Sequence, residues 1–279
     1  MRKHGLDGEL IDLGYLVMRG NVTLPLNGQP GRITLAGRTI SVEQPVVARL
    51  IDISRVAPTP ELRRRAEGVQ VSLARYLSCL PWTQVVGGTW DNSNFSKAYQ
   101  LSCASGRSWA VPRTCVTNDP SVAKAFVQSV PTIYKGPSSS KTWANVMSAN
   151  DIDRLPQLRH SPVLFQERIT GLDVRVHVVA DKVFAEAITA TLCDYRTDPD
   201  ARFEPVTVPS SIAADCIDLT RKMKLVLSGI DFKVSESGQW FFLEANSAPC
   251  YQGYDKRAFG AISDALSEYL RRADAYRPT

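Results

Sequence analysis

Residues Trp240 to Cys250 read WFFLEANSAPC. Four apolar residues in a row describe a buried strand. The strand runs into Glu244, and one alanine later comes Asn246. Strand side chains alternate with period two, so Glu244 and Asn246 share a face. The preceding segment, LVLSGIDFKVSESG (Leu225–Gly238), holds a second apolar run ending on Asp231 and a turn signal, SESG. Together the two runs spell a hairpin. Twelve residues separate Asp231 from Glu244, with the turn near their middle. Paired strands lie about 5 Å apart, so the two carboxylates can fall opposite one another. Two carboxylates and a carboxamide then converge, a set of hard oxygen donors suited to Mg²⁺. Taken alone, the same stretch reads equally well as a polar cluster closing a surface hairpin.

The 279 residues are 44% hydrophobic and 22% charged, which is ordinary globular composition with ample chain for a core. Net charge is +5. The densest basic run, ELRRRAEG (Glu61–Gly68), is flanked by acids and reads as a solvated helix face rather than a nucleic-acid stripe. A nucleic-acid partner is therefore not expected. The six cysteines show no CxxC spacing and read as reduced thiols. The three histidines, His4, His160 and His177, sit in no nucleophile or zinc context. No signal-peptide pattern opens the chain and no apolar run approaches the length of a membrane span, so a soluble cytoplasmic protein is expected.

Along the chain, strands and helices mix with several hairpins, which gives an α/β (α+β) class. NVTLPL, GRITLAG and RTISV read as short paired strands, and PVVARLIDI (Pro45–Ile53) as another. The segment Thr59–Leu80 is an amphipathic helix with Thr59 as N-cap and Pro60 in its first turn. The tract Thr197–Ser210 reads as a long surface loop, and AFGAISDALSEYLRRA as a closing helix. Boundaries near residues 90 and 162 divide the chain into 1–90, 91–162 and 163–279.

Two lysines stand in distinctive settings. Lys135 ends the apolar strand TIYK and precedes a loop of Gly, Pro and three serines, which can offer hydroxyls and backbone N–H groups to phosphates. Lys97 sits on a short helix, FSKAYQLSCASG (Phe95–Gly106). Next, VLFQERI offers Gln166 and Glu167 at a strand end, where a carboxamide can meet an adenine. Asp173 and Arg175 then share a face of the following strand. An acid there suits a ribose hydroxyl and an arginine suits a phosphate. Each residue by itself has an ordinary surface role as its alternative.

The order of these pieces carries more than any one of them. SKAYQL, VPRTCVTNDP, TIYKG, FQERITGLDVRVHVV, VFAEAI, DYR and GIDF…FFLEANSAP together resemble the ATP-grasp superfamily. Within it the chain resembles RimK-like ligases and the maturases of ribosomally made peptides called graspetides. The resemblance covers about Asn92–Tyr254 and implies an ATP-grasp fold, with the nucleotide held between two α+β subdomains (91–162 and 163–279) behind an abbreviated N-terminal pre-ATP-grasp domain (1–90). It also implies roles. Lys97 and Lys135 would bind the ATP phosphates beneath a loop carrying Ser138, Ser139, Ser140 and Lys141. Gln166, Glu167 and Ile169 would frame adenine, and Asp173 would meet the ribose or the metal–phosphate edge. Arg175 and Arg196 would stabilise the transferred phosphoryl group. Asp231, Glu244 and Asn246 would hold one or two Mg²⁺, or Mn²⁺ in its place.

The implied reaction is ATP-dependent ligation of a carboxylate to an amine, or to a hydroxyl to give an ester, through an acyl phosphate, with ADP and phosphate released. Its partners would be peptide or amino-acid-like substrates, a precursor peptide among them, and the resemblance implies a homo-oligomer. Addition of an amino acid to a small molecule or protein tail is one alternative. A non-catalytic ATP-binding protein is another. The tail SAPCYQGYD follows the RimK-like pattern more closely than that of the peptide maturases, which leaves the substrate open.

Overall fold

The computed structural model describes residues 6, 8–24, 32–35, 37–41, 45–50, 57–87, 96–136, 144–190 and 198–275. Its largest element is a five-stranded antiparallel sheet. In chain order the strands are β10 (Leu172–Val179), β11 (Lys182–Thr189), β12 (Arg202–Pro205), β13 (Leu227–Val234) and β14 (Trp240–Asn246), and in space they run β12-β11-β10-β13-β14. Alternation splits β10 cleanly. Val174, Val176 and Val178 are buried in the main core, whereas Asp173, Arg175 and His177 project from the opposite face.

Two helices cover the core face, α3 (Lys97–Ala104) and α6 (Ser210–Lys222). The latter buries Ile212, Cys216 and Leu219, spaced for one helical stripe. Trp109, Phe232, Phe242 and Trp240 fill the centre, with Trp109 edge-on to Phe232 at 5.2 Å and stacked on Phe242 at 6.0 Å. Ala110 extends the sheet: its N–H donates to Trp240 O and its carbonyl accepts from Phe242 N. Thus α3 and Ala110 pack with the C-terminal sheet, although the central sheet intervenes in sequence. At one end of the other face lie α7 (Gln252–Arg257) and α8 (Ala261–Ala275), where Ile262, Ala265, Leu266 and Leu270 bury against Val179 and Leu227.

A second sheet, of order β6-β9-β7-β8, joins β6 (Thr114–Thr117), β7 (Thr132–Lys135), β8 (Asn145–Val146) and β9 (Val163–Glu167). Phe165, Ala123 and Leu155 close its core against α4 (Pro120–Ser129). The N-terminal part holds α1 (Leu13–Arg19), a three-stranded sheet of β1 (Asn21–Thr23), β2 (Arg32–Leu35) and β3 (Arg38–Ser41), and α2 (Pro60–Cys79). It also holds a parallel pair, β4 (Val46–Val47) and β5 (Val85–Val86). The expected cap is present: Leu62 N donates to Thr59 Oγ1 at 3.2 Å. Of the strand expected over Pro45–Ile53, only β4 forms among the described residues, and residues 51–53 lie outside them.

One expectation is corrected. The Thr197–Ser210 tract is not all loop, because Arg202–Pro205 pairs with β11 as an edge strand. Phe203 anchors it under the Arg257 guanidinium, 4.1 Å away, and Pro205, which cannot donate to a ladder, ends it at the sheet's margin. In addition, α7 precedes the closing helix.

Candidate active site

The site is built on the open face of the five-stranded sheet. Cross-strand register places Glu186, Arg175, Asp231 and Glu244 in one row over β11, β10, β13 and β14. Arg175 Nε lies 2.9 Å from Asp231 Oδ1. Glu186 is buried and accepts from Arg257 Nε at 2.9 Å and Nη2 at 2.6 Å. Each strand thus contributes one charged residue to the row, with Arg175 paired to Asp231.

Between Asp231 and Phe232 the ladder slips. Asp231 pairs with Glu244 while Phe232 pairs with Phe242, so Leu243 is an extra residue, a β-bulge. The bulge resets the alternation of β14. Trp240, Phe242 and Ala245 stay in the core, yet Glu244 and Asn246 turn to the open face. Uninterrupted period two would send both inward with Phe242.

Helix α3 approaches this corner end-on. Ser96 caps it, accepting from Tyr99 N at 3.2 Å. Lys97 is its first residue, an unfavourable place for a cation because the helix dipole is positive there. Glu244 offsets that cost: Lys97 Nζ donates to its Oε2 at 2.8 Å. One turn on, buried Gln100 accepts from Ala245 N at 3.2 Å and fixes β14 between the two polar residues. Burial raises the Glu244 pKa, but Lys97, and then Lys135 and Arg175, outweigh it and hold the carboxyl at about 2.

Lys135 projects from the end of β7 and is half-buried. Its Nζ lies 3.5 Å from Gln166 Oε1, and Gln166 Nε2 donates to Thr114 Oγ1 at 3.1 Å. Burial, and then the like charge of Lys97, depress the Lys135 pKa to about 8 against the opposing pull of Glu244 and Asp231. Lys97, Lys135, Asp231 and Glu244 therefore share one electrostatic environment between the two sheets.

Of the other sequence-derived candidates, Asp173 sits one position along the same face, with Lys233 Nζ 2.8 Å away. Glu167 follows Gln166 on β9 and turns its carboxylate to the opposite side, accepting from Arg113 N at 3.2 Å. Ile169 lies just past β9, partly buried. Ser138, Ser139, Ser140, Lys141 and Arg196 fall outside the described residues.

Three positions escaped the sequence reading. Gln100 is one: its only signal is the Lys97–Gln100 spacing of one helical turn. The Glu186–Arg257 pair is another. Gly229 is the third. It faces Asn246 across the hairpin and His177 across β10. A Cβ there would meet Arg175 Nη1 and Pro249 Cβ, each at 2.7 Å. Arg175 therefore reaches across β13 through space that only glycine leaves open.

The donor set fits a divalent cation bound with phosphates. Asp231 and Glu244 are adjacent, and Asn246 Oδ1 is oriented by the N–H of Ala248 at 3.1 Å. Among the described residues no cluster of three His, Cys, Asp or Glu forms a self-sufficient metal centre. Such a site suits Mg²⁺, which shares its shell with water and phosphate oxygens. The carboxylates are presently neutralised by Lys97 and Arg175, so cation binding would exchange partners rather than fill bare charge.

The model of the RimK-like ATP-grasp domain matches residues 95–270. A probable alpha-L-glutamate ligase 1 of Shewanella sp. (strain W3-18-1) is 30% identical over 130 residues, 42% of this chain and 40% of that protein. The chain thus spans about two fifths of the length of the curated relatives it matches. Two solved structures are similar over nearly the whole chain. The ATP-grasp ligase PsnB complexed with minimal precursor has a TM-score of 0.76 at 25% identity, covering 96% of this chain and 92% of that one. The macrocyclase MdnC of Microcystis aeruginosa MRC, bound with precursor peptide MdnA, also has a TM-score of 0.76, at 21% identity over 93% of this chain and 89% of that one. The expected ATP-grasp architecture is therefore the observed one. The family match takes in more than half of the residues, including α3, both sheets and the whole charged row, and the chain belongs to the RimK-like ATP-grasp domain family.

Proposed function

We propose that this protein is an ATP-dependent carboxylate–amine ligase acting on peptides, with an acyl phosphate as intermediate and ADP and phosphate as products. The observation that carries the reading is the convergence of Asp231, Glu244 and Asn246 on one face, with Lys97, Lys135 and Arg175 around them. A substrate carboxylate attacks the γ-phosphorus, and an amine, or a hydroxyl where an ester is made, then displaces phosphate from the acyl carbon. This chemistry asks for placement and charge neutralisation rather than a side-chain nucleophile. Lys97 and Lys135 hold the phosphates, and Arg175 steadies the transferred group. Asp231, Glu244 and Asn246 hold Mg²⁺, one ion or two, which when bound supplies Lewis-acid charge on the phosphate oxygens.

The peptide-bound neighbours support a peptide substrate, because PsnB and MdnC are both complexed with precursors. Gln166, Glu167 and Ile169 as the adenine edge, Asp173 at the ribose or metal–phosphate edge, and Ser138 to Lys141 with Arg196 over the phosphates complete the proposal. So do a three-part division at residues 90 and 162, assembly as a homo-oligomer and a cytoplasmic location. No helix among the described residues is long and apolar enough to cross a membrane. The test is product analysis after incubation with Mg²⁺, ATP, glutamate-containing peptides and free amino acids. ADP, phosphate and a product one water lighter than the sum of the parts joined are expected. AMP and pyrophosphate would replace this chemistry with adenylation, and salt-sensitive RNA retention without ATP turnover would replace it with RNA binding.

A pH dependence follows from Lys135. Its pKa lies near 8 when the site is empty, below the usual 10.5. The unfolded chain keeps this proton to higher pH than the folded one, so stability rises through that window. Bound polyphosphate does the reverse and pulls the pKa back up. Nucleotide binding should therefore take up a proton near pH 8–9, and affinity should fall by up to about tenfold per pH unit above 8. Calorimetry in buffers of different ionisation enthalpy measures the proton directly. Lys135→Arg, which cannot titrate in this range, should flatten the profile.

A further inference from the structure

Most cations around the site already face an acid. Lys97 has Glu244, Arg175 has Asp231, Arg257 has Glu186 and Lys233 has Asp173. Arg49 differs. It is exposed, and among the described residues its guanidinium has no carboxylate partner. Its Nη2 faces Cys250 Sγ instead. A thiol is a weak acceptor and engages only part of a five-donor fork.

The backbone beneath Arg49 is firmly placed. It follows β4, one strand of the parallel pair. The preceding residue, Ala48, is buried, and its N–H donates to Val86 O at 2.7 Å. Gly87, at φ 113°, permits this approach, since a Cβ there would lie 2.1 Å from Ala48 O. A firmly placed backbone therefore carries an exposed, charged tip.

That tip lies against Cys250, four residues beyond Asn246. Cys250 follows Pro249 directly, and Pro249 and Arg175 Nη1 each come within 2.7 Å of the point where Gly229 lacks a side chain. Arg49, through Cys250 and the adjoining Pro249, thus neighbours the strand position that Arg175 crosses. Arg49 is also near enough to Tyr251 to act electrostatically on its phenol.

We propose that Arg49 recognises the carboxylate of the acid substrate, receiving it at the rim of the site and orienting it towards Arg175. A planar guanidinium can bind a carboxylate through two parallel N–H···O bonds, which fixes direction as well as position. This inference rests on the ligase reading and adds to it the N-terminal part's contribution to substrate selection.

The test titrates tetraglutamate, blocked at both ends, into the full chain by calorimetry, with and without Mg²⁺ and adenylyl imidodiphosphate. Arg49→Ala should weaken tetraglutamate binding by about tenfold or more, and Arg49→Lys should recover part of the loss. Blocked tetraglutamine should bind both proteins alike, and the affinity for adenylyl imidodiphosphate should stay within about twofold. Equal tetraglutamate affinity in wild type and Arg49→Ala overturns the inference. So does a wild type that binds tetraglutamate no better than tetraglutamine, or a matching loss of nucleotide affinity, which would assign Arg49 to the nucleotide instead. If the wild type binds no nucleotide, the ligase reading fails, while the nucleotide-free titration still decides the role of Arg49.

Discussion

Glu244→Gln should cut ATP turnover by about 10³-fold or more while leaving the chain folded. The substitution keeps the size of the side chain and removes its charge. Glu244 is the point on which Lys97, Lys135 and Arg175 all act, and together they hold its carboxyl at about 2. An amide there offers a weaker oxygen to a cation and leaves Lys97, whose side chain is only 15% exposed, without its counter-charge. Stability should fall as well, by about 1–3 kcal/mol. Phosphate release measured over a magnesium titration, with thermal unfolding as control, separates the two effects. A non-catalytic nucleotide-binding protein would keep its function in this variant, so unchanged behaviour would favour that reading.

Gly229→Ala should lower turnover by about 10²-fold with nucleotide affinity little changed. The added methyl group would sit 2.7 Å from Arg175 Nη1 and from Pro249 Cβ. Pro249 belongs to a constrained turn, in which Asn246 Oδ1 accepts from Ala248 N. The flexible guanidinium is the partner that gives way, and it gives way from the position facing Asp231. Overpacking of this kind costs about 1–3 kcal/mol. The diagnostic is a fall in kcat larger than any rise in the KM for ATP. A variant with normal kcat would show that Arg175 has no part in the reacting geometry.

Local chemistry in the sequence carried much of this arrangement. The expectation that Asp231 can fall opposite Glu244 agrees with the register, although counting outward from SESG alone would set Asp231 against Phe242. Lys135 ends its strand as the pattern TIYK indicates, and Thr59 and Pro60 open α2. What stayed hidden depends on distance or on a break in periodicity. Period two puts Glu244 and Asn246 on one face, but it cannot say that this face opposes that of Phe242. Only the slip at Leu243 does that, and its residue type gives no warning. Nor does an eight-residue helix near position 100 reveal that its Gln100 will bond to Ala245, 145 residues away. Glu186 and Arg257 are equally remote in the chain. The edge strand Arg202–Pro205 is short and ends in proline, so its pattern resembles that of a loop.

The extra residue in β14 has a further consequence for how relatives of this chain should be compared. A chain lacking Leu243 would keep Glu244, Ala245 and Asn246 on their present sides, because a bulge adds one residue without changing the order of faces. It would lose the bend and added twist that a bulge gives a strand, and with them the present angle of these side chains. Such a relative would retain every ligand residue and still aim them elsewhere. Chain length at this one place therefore carries information about activity that a tally of ligand residues would miss.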